Sequence, residues 1–175
     1  MLYHASDVVG LNILEPHVST HGKPYVYAIN SRITALLFGT PKDDFDILID
    51  VKDGKTIIYE CYPKALEKVY AGKDCFLYMV SEEGFLSGQT GWDAEMVCPT
   101  SVKVEHEEKI YDMYKSIIEA TDNGFCEINY YSDNEEYQAF LREELSERIA
   151  SWNITDEMMK KDVRFELYFN KLLKL

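Results

Sequence analysis

Four histidines are the first side chains in this chain that could do chemistry, because imidazole is a common metal ligand. His17 and His21 are four residues apart, which is the spacing of a ligand pair on one face of a helix. Pro16 and Gly22 flank this pair and disfavour a helix, and no third ligand follows at a typical spacing. His106 lies in an acidic run that we expect at the surface. The sequence therefore predicts no metal site.

The local motifs of several large enzyme classes are also missing from the sequence. No serine stands in the Gly-x-Ser-x-Gly pattern of a nucleophile elbow, and no cysteine has a protease-like signature. The glycine patterns of phosphate-binding loops and of Rossmann dinucleotide sites are absent as well. The four cysteines form no Cys-x-x-Cys pair, which favours reduced and mostly buried thiols.

Three separated segments carry polar and aromatic side chains near the ends of predicted strands. In LYHAS, His4 is followed by a small residue and then by Ser6. In YVYAINSRITALLF, Tyr27 ends a strand, and Phe38 follows eleven residues later, after a helical run. In DAEMVCPTSVKV, Glu95 opens a late strand. This pattern, over residues 2–104, resembles the histidine–tyrosine–glutamate triad of the diphtheria-toxin and poly(ADP-ribose) polymerase class of ADP-ribosyltransferases.

The resemblance implies that NAD is the substrate and that Glu95, His4 and Tyr27 form the catalytic triad. Cleavage of the nicotinamide–ribose bond passes through an oxocarbenium-like state, which the carboxylate of Glu95 would stabilise. Tyr27 and Phe38 would stack on the nicotinamide ring. His4 would hydrogen-bond to the adenosine ribose. The class needs no metal for this reaction, so we expect NAD and no metal cofactor.

Further residues are implied in NAD binding by the same resemblance. Ser6 would support the histidine, and Lys23 or Arg32 would neutralise part of the pyrophosphate charge. Two positions differ from the usual pattern of the class. Ala5 replaces the glycine that follows the histidine, and Phe38 replaces a tyrosine, which keeps the stacking face but removes the hydroxyl group.

Each residue of the triad, and Phe38 with them, also has an ordinary structural interpretation. His4 fits a strand histidine, Tyr27 and Phe38 fit core aromatics, and Glu95 fits a charge at a strand edge. Several functions therefore stay open. They are ADP-ribosyl transfer to an unknown acceptor such as a protein, NAD hydrolysis with water as the acceptor, and a catalytically silent nucleotide-binding or protein-interaction module on the same fold.

The secondary structure predicted for the elements that position these residues changes near residue 105. Before it, short strand patterns alternate with turns, and Asp53–Gly54 between two alternating runs predicts a hairpin. After it, apolar residues recur at helical spacing, and the first such helix is predicted over residues 107–124. We therefore predict an α+β protein. Residues 1–104 would form the split β-sheet core that the resemblance implies, and residues 105–175 a helical C-terminal extension packed on it.

The amino-acid composition argues against two classes of binding partner. The chain of 175 residues carries 31 acidic and 18 basic residues, a formal charge of −13, which argues against nucleic acid and against anionic membranes. This charge also disfavours the RNA 2′-phosphotransferases, which share the fold but bind an RNA phosphate. No apolar run approaches the ~20 residues of a membrane span, and no signal-peptide pattern is present. We therefore expect a cytoplasmic protein.

Overall fold

A computed structural model describes residues 1–18 and 22–174, and these form ten strands, six α-helices and one π-helical turn. The strands are β1 Leu2–Ser6, β2 Ile13–Leu14, β3 His17–Val18, β4 Pro24–Ile29, β5 Ile47–Lys52, β6 Lys55–Glu60, β7 Cys75–Val80, β8 Glu95–Cys98, β9 Val102–Ile110 and β10 Cys126–Asn129. The helices are α1 Arg32–Leu36, α2 Ala65–Tyr70, α3 Met113–Asp122, α4 Glu135–Ser151, α5 Asp156–Lys161 and α6 Asn170–Leu173, and the π-helical turn is Phe165–Phe169. The protein is therefore of the predicted α+β type.

The larger sheet has seven antiparallel strands in the order β2-β9-β7-β1-β4-β3, and β8 also pairs with β4. Strands β1, β4 and β8 are neighbours in this sheet although they are far apart in the chain. The residues at their ends are thereby brought close together, which is what a site built from three separated segments requires.

The smaller sheet has three strands in the order β10-β6-β5. Strands β5 and β6 form a hairpin closed by Asp53 and Gly54, whose φ angles of 52° and 76° are those of a tight two-residue turn. The hairpin predicted from the sequence is therefore confirmed. Strand β10 pairs parallel to β6, with Ile128 opposite Ile58.

The larger hydrophobic core contains residues from both sheets, from α1 to α4 and from the C-terminal segment. Phe165, Phe169 and Leu172 of that segment are buried in it. The ring of Phe45 lies 5.4 Å from that of Phe165 and 6.1 Å from that of Phe169, measured between ring centroids. The C-terminal helices and the β-sheets therefore share one core.

The structure differs from the sequence prediction around residue 105. Strand β9 continues to Ile110, and the helix predicted from residue 107 begins only at Met113, capped by the side chain of Asp112. Residues 107–110 instead pair with β7, for example Glu108 with Leu77. A ladder with an existing strand outweighs the helical spacing of this segment. The expected boundary between residues 104 and 105 thus falls inside β9, and β10 extends the smaller sheet.

No helix in the described part of the chain is long and apolar enough to cross a membrane.

Candidate active site

The site lies where the backbone pairing between β1 and β4 ends. The two strands pair at Tyr3 and Ile29, and continuing that register would place Ala5 opposite Tyr27. Instead, Nδ1 of His4 donates a hydrogen bond to the carbonyl oxygen of Tyr27 at 2.8 Å. The imidazole therefore connects the two backbones by a side-chain contact where a backbone ladder would otherwise lie.

A cleft of about 620 Å³ opens beside this bridge. Five of the residues proposed from the sequence line it: His4 and Ser6 from β1, Tyr27 from β4, Phe38 from the turn after α1, and Glu95 from the start of β8. We call this cavity the His4 cleft. The structure thus brings together the imidazole, the two aromatic rings and the carboxylate that the sequence pattern singled out.

The pairing of β8 with β4 fixes the place of Glu95. Glu95 lies opposite Ile29, and Val97 lies opposite Tyr27. The backbone N–H of Glu95 donates to the carbonyl oxygen of Trp92 at 3.1 Å, which closes the loop that leads into the strand. Glu95 is half-buried and lines the His4 cleft, so its position combines partial shielding from water with access to a ligand.

The environment of His4 favours its neutral form. Burial lowers the pKa of the imidazole below its ordinary value of 6.5, the hydrogen bond to Tyr27 acts in the opposite direction, and the charge of His17 lowers it further. Because a carbonyl oxygen can only accept, Nδ1 carries the proton. The neutral ring therefore keeps Nε2 as a hydrogen-bond acceptor, which suits a hydroxyl donor such as that of a ribose.

Phe38 is 43% exposed, so it is not a core aromatic. Its ring lies 5.9 Å from that of Trp92, and Nζ of Lys42 sits 4.8 Å from its centroid. The next residue, Gly39, holds this turn against β7, because a Cβ atom there would lie 2.6 Å from Sγ of Cys75. Close packing behind the turn thus holds an aromatic ring at the mouth of the cleft.

The two cations expected at the pyrophosphate do not line the cleft. Arg32 makes a bidentate ion pair with Glu108 of β9, with N–O distances of 3.0 and 2.5 Å, and this pairing raises the pKa of the guanidinium. Lys23 is exposed before β4. Arg32 is neutralised by a carboxylate 76 residues away in the chain, a contact that no local pattern predicts.

Lys42 is the basic residue among those that line the cleft. Only 6% of its side chain is exposed, and its Nζ pairs with Asp44 at 3.2 Å. Sequence reasoning missed Lys42, whose signal was limited to its place four residues after Phe38 in a turn-rich segment. Ala5, which replaces the glycine of the family pattern, lies in regular strand pairing with Leu77.

Compared with protein-family models, curated proteins and solved structures, the chain shows no significant match. The described residues contain no cluster of three or more potential metal ligands. His17 is exposed in β3, and His21 lies outside the described residues.

A second cavity, of about 840 Å³, adjoins the His4 cleft. The two cavities share Phe38, Lys42, Asp44 and Glu95. The far wall of the second cavity comes from the C-terminal half of α4 and from Trp152, and Trp92 lines it as well. We call it the tryptophan groove. Glu95 therefore lies between two connected spaces.

Proposed function

We propose that this protein binds NAD in the His4 cleft and breaks the bond between nicotinamide and ribose, so that ADP-ribose passes to an acceptor or to water. The observation that carries this proposal is the convergence of His4, Tyr27, Phe38 and Glu95 on one cleft, although up to 91 residues separate them in the chain. Their chemistry matches what this reaction needs: a hydroxyl-binding imidazole, flat stacking surfaces and a carboxylate.

A third cavity offers room for the second half of a dinucleotide such as NAD. It has a volume of about 500 Å³, shares His4, Ser6 and Tyr27 with the His4 cleft, and has an apolar wall that includes Leu11 and Tyr25. In the proposed arrangement the nicotinamide lies toward Phe38 and Glu95, and the adenosine lies in this neighbouring cavity. His4 stands at the junction, where its Nε2 accepts a hydrogen bond from a ribose hydroxyl.

The proposed reaction breaks one bond and forms one. The bond between C1′ of the ribose and the nicotinamide nitrogen breaks, and both electrons leave with the nicotinamide, which becomes neutral. The ribose gains oxocarbenium character, and the carboxylate of Glu95 stabilises that developing positive charge in a partly buried site. The acceptor, or water, forms the new bond at C1′ and releases one proton.

Lys42 takes the role that the sequence pattern gave to Lys23 or Arg32. Lys42 lines the cleft and its ammonium group pairs with Asp44, so it would neutralise part of the pyrophosphate charge by exchanging this contact for phosphate oxygens. Nζ of Lys42 also lies 4.8 Å from the centroid of the Phe38 ring, so a second contact helps to fix its position.

Titration of the protein with NAD by calorimetry, combined with chromatography of released nicotinamide, tests the proposal. Binding together with nicotinamide release in the absence of added metal is the expected result. Binding without release would indicate a catalytically silent nucleotide-binding module on the same scaffold. The absence of both would overturn the assignment of the cleft to NAD.

A further inference from the structure

The tryptophan groove lies where an acceptor would have to approach the ribose. It shares Glu95 and Phe38 with the His4 cleft. A ligand in the groove and an NAD ribose in the cleft would therefore both lie beside Glu95. The groove is built by α4 and by the loop before β8, so the C-terminal helices contribute directly to it.

Aromatic rings supply the flat surfaces of the groove. The chain contains two tryptophans, Trp92 and Trp152, and both line it. Trp152 is 50% exposed at the end of α4, and Trp92 contacts Phe38 at a ring distance of 5.9 Å. A half-exposed tryptophan beside a cavity presents an electron-rich face that attracts cations and planar groups.

The charge of the groove is negative. Two basic and four acidic side chains line it. Both basic groups pair with Asp44: Nζ of Lys42 lies 3.2 Å from its carboxylate, and the guanidinium of Arg148 lies 3.7 Å from the carboxylate and 2.8 Å from the backbone oxygen. Among the described residues, no basic side chain forms an ion pair with the two carboxylates of α4 that line the groove, Glu144 and Glu147.

Glu144 and Glu147 are three residues apart on α4 and therefore lie on the same face of the helix. Two neighbouring carboxylates that face a cavity with tryptophan walls favour a cation that is planar and rich in N–H donors. A guanidinium group meets all three conditions, because it stacks on aromatic rings and pairs with carboxylates through several hydrogen bonds, whereas an ammonium group is a compact, strongly hydrated charge. The formal charge of −13 on the whole chain adds a long-range attraction for such a ligand.

We propose that the tryptophan groove binds the guanidinium group of an arginine side chain, which is the acceptor of the ADP-ribosyl group. This inference rests on the proposed function for its chemical step, but not for the binding itself. In that step a guanidinium N–H loses its proton through a groove carboxylate to water. The nitrogen then forms the bond to C1′ while the bond to nicotinamide breaks. The products are a guanidinium that carries ADP-ribose, neutral nicotinamide and one proton.

Agmatine, which carries the guanidinium group of arginine on a short chain, is the probe for this proposal. Its binding is measured in the absence of NAD by calorimetry and by tryptophan fluorescence, since both tryptophans of the chain line the groove. We expect saturable binding with a fluorescence change, and weaker binding of the diamine cadaverine. Equal affinity for agmatine and cadaverine, or no binding of agmatine, would overturn the assignment to a guanidinium.

Variants on α4 test whether the groove is the binding site. Loss of two charge-assisted contacts in Glu144→Gln/Glu147→Gln should weaken agmatine binding by about tenfold. Glu136→Gln/Glu143→Gln is the matched control, because it removes two charges from exposed positions of the same helix that do not line the groove. An equal loss of affinity in the control would show that the overall charge, and not the groove, attracts the ligand.

Adding NAD separates this inference from the proposed function. Formation of ADP-ribosyl-agmatine, detected by mass spectrometry and reduced in Glu144→Gln/Glu147→Gln, is the expected result. Release of nicotinamide with free ADP-ribose as the sole product, with no agmatine binding, would overturn the guanidinium acceptor and leave NAD cleavage in place. Agmatine binding without any cleavage of NAD would overturn the proposed function, and the acceptor role with it.

Discussion

Replacement of Phe169 by alanine tests whether the C-terminal segment is an integral part of the fold. The Phe169 side chain is fully buried, and its ring lies within 6.4 Å of the rings of Phe45, Tyr62, Phe165 and Tyr168. Truncation removes the apolar surface of the ring and leaves a cavity between aromatic neighbours that cannot all close in. We expect Phe169→Ala to lower the free energy of unfolding by about 3–5 kcal/mol.

The measurement is urea-induced unfolding followed by circular dichroism. Phe125→Ala is the control, because Phe125 is 67% exposed and its truncation should change the free energy of unfolding by less than about 0.5 kcal/mol. A domain of this size has a total stability of roughly 5–15 kcal/mol, so the Phe169 variant should unfold at a much lower urea concentration. A decrease of less than about 1 kcal/mol in the free energy of unfolding of Phe169→Ala would refute the shared core. Truncation of a phenylalanine that is packed in a core costs about 3–5 kcal/mol.

Two further predictions concern the His4 cleft. As the pH falls below about 6.5, the unfolded chain takes up a proton at His4 before the folded chain does, because burial lowers the pKa of His4 in the fold. Wild type should therefore lose stability relative to His4→Asn as the pH falls through that value. If the two proteins differed in unfolding free energy by the same amount at every pH, the buried environment described for His4 would be contradicted. Phe38→Ala should weaken NAD binding by about three- to tenfold through the loss of one stacking face, as measured by calorimetry. An unchanged dissociation constant, with Phe125→Ala as the control, would remove Phe38 from the nicotinamide site.

Much of the local structure follows from sequence patterns. Alternating apolar residues predicted β5 and β6, and Asp53–Gly54 predicted their turn. Ser31 precedes the helical run with a side chain suited to an N-cap, and its Oγ accepts from the backbone N–H of Thr34 at 3.2 Å. These features depend on neighbours within a few residues, so a single sequence contains the information for them.

Features that depend on distant contacts could not be predicted in the same way. Strand β10 pairs with β6, about 70 residues earlier, and the end of β9 is a strand because β7 offers it a ladder. The ion pair of Arg32 with Glu108 likewise joins distant segments and removes Arg32 from the cleft. Trp152 and the carboxylates of α4 reach the groove only because the C-terminal helices dock on the sheets.

The most direct test of the central claim compares nicotinamide release from NAD by wild type and by Glu95→Gln. The amide keeps the shape of the side chain but removes the negative charge that would stabilise the oxocarbenium-like state, so turnover should fall by a factor on the order of 10²–10³ while the dissociation constant of NAD changes little. Asp93→Asn is the control, because it removes an exposed carboxylate two residues away that lines neither the cleft nor the groove. Nicotinamide release at the wild-type rate by Glu95→Gln would contradict the assignment of Glu95 and the proposed site with it.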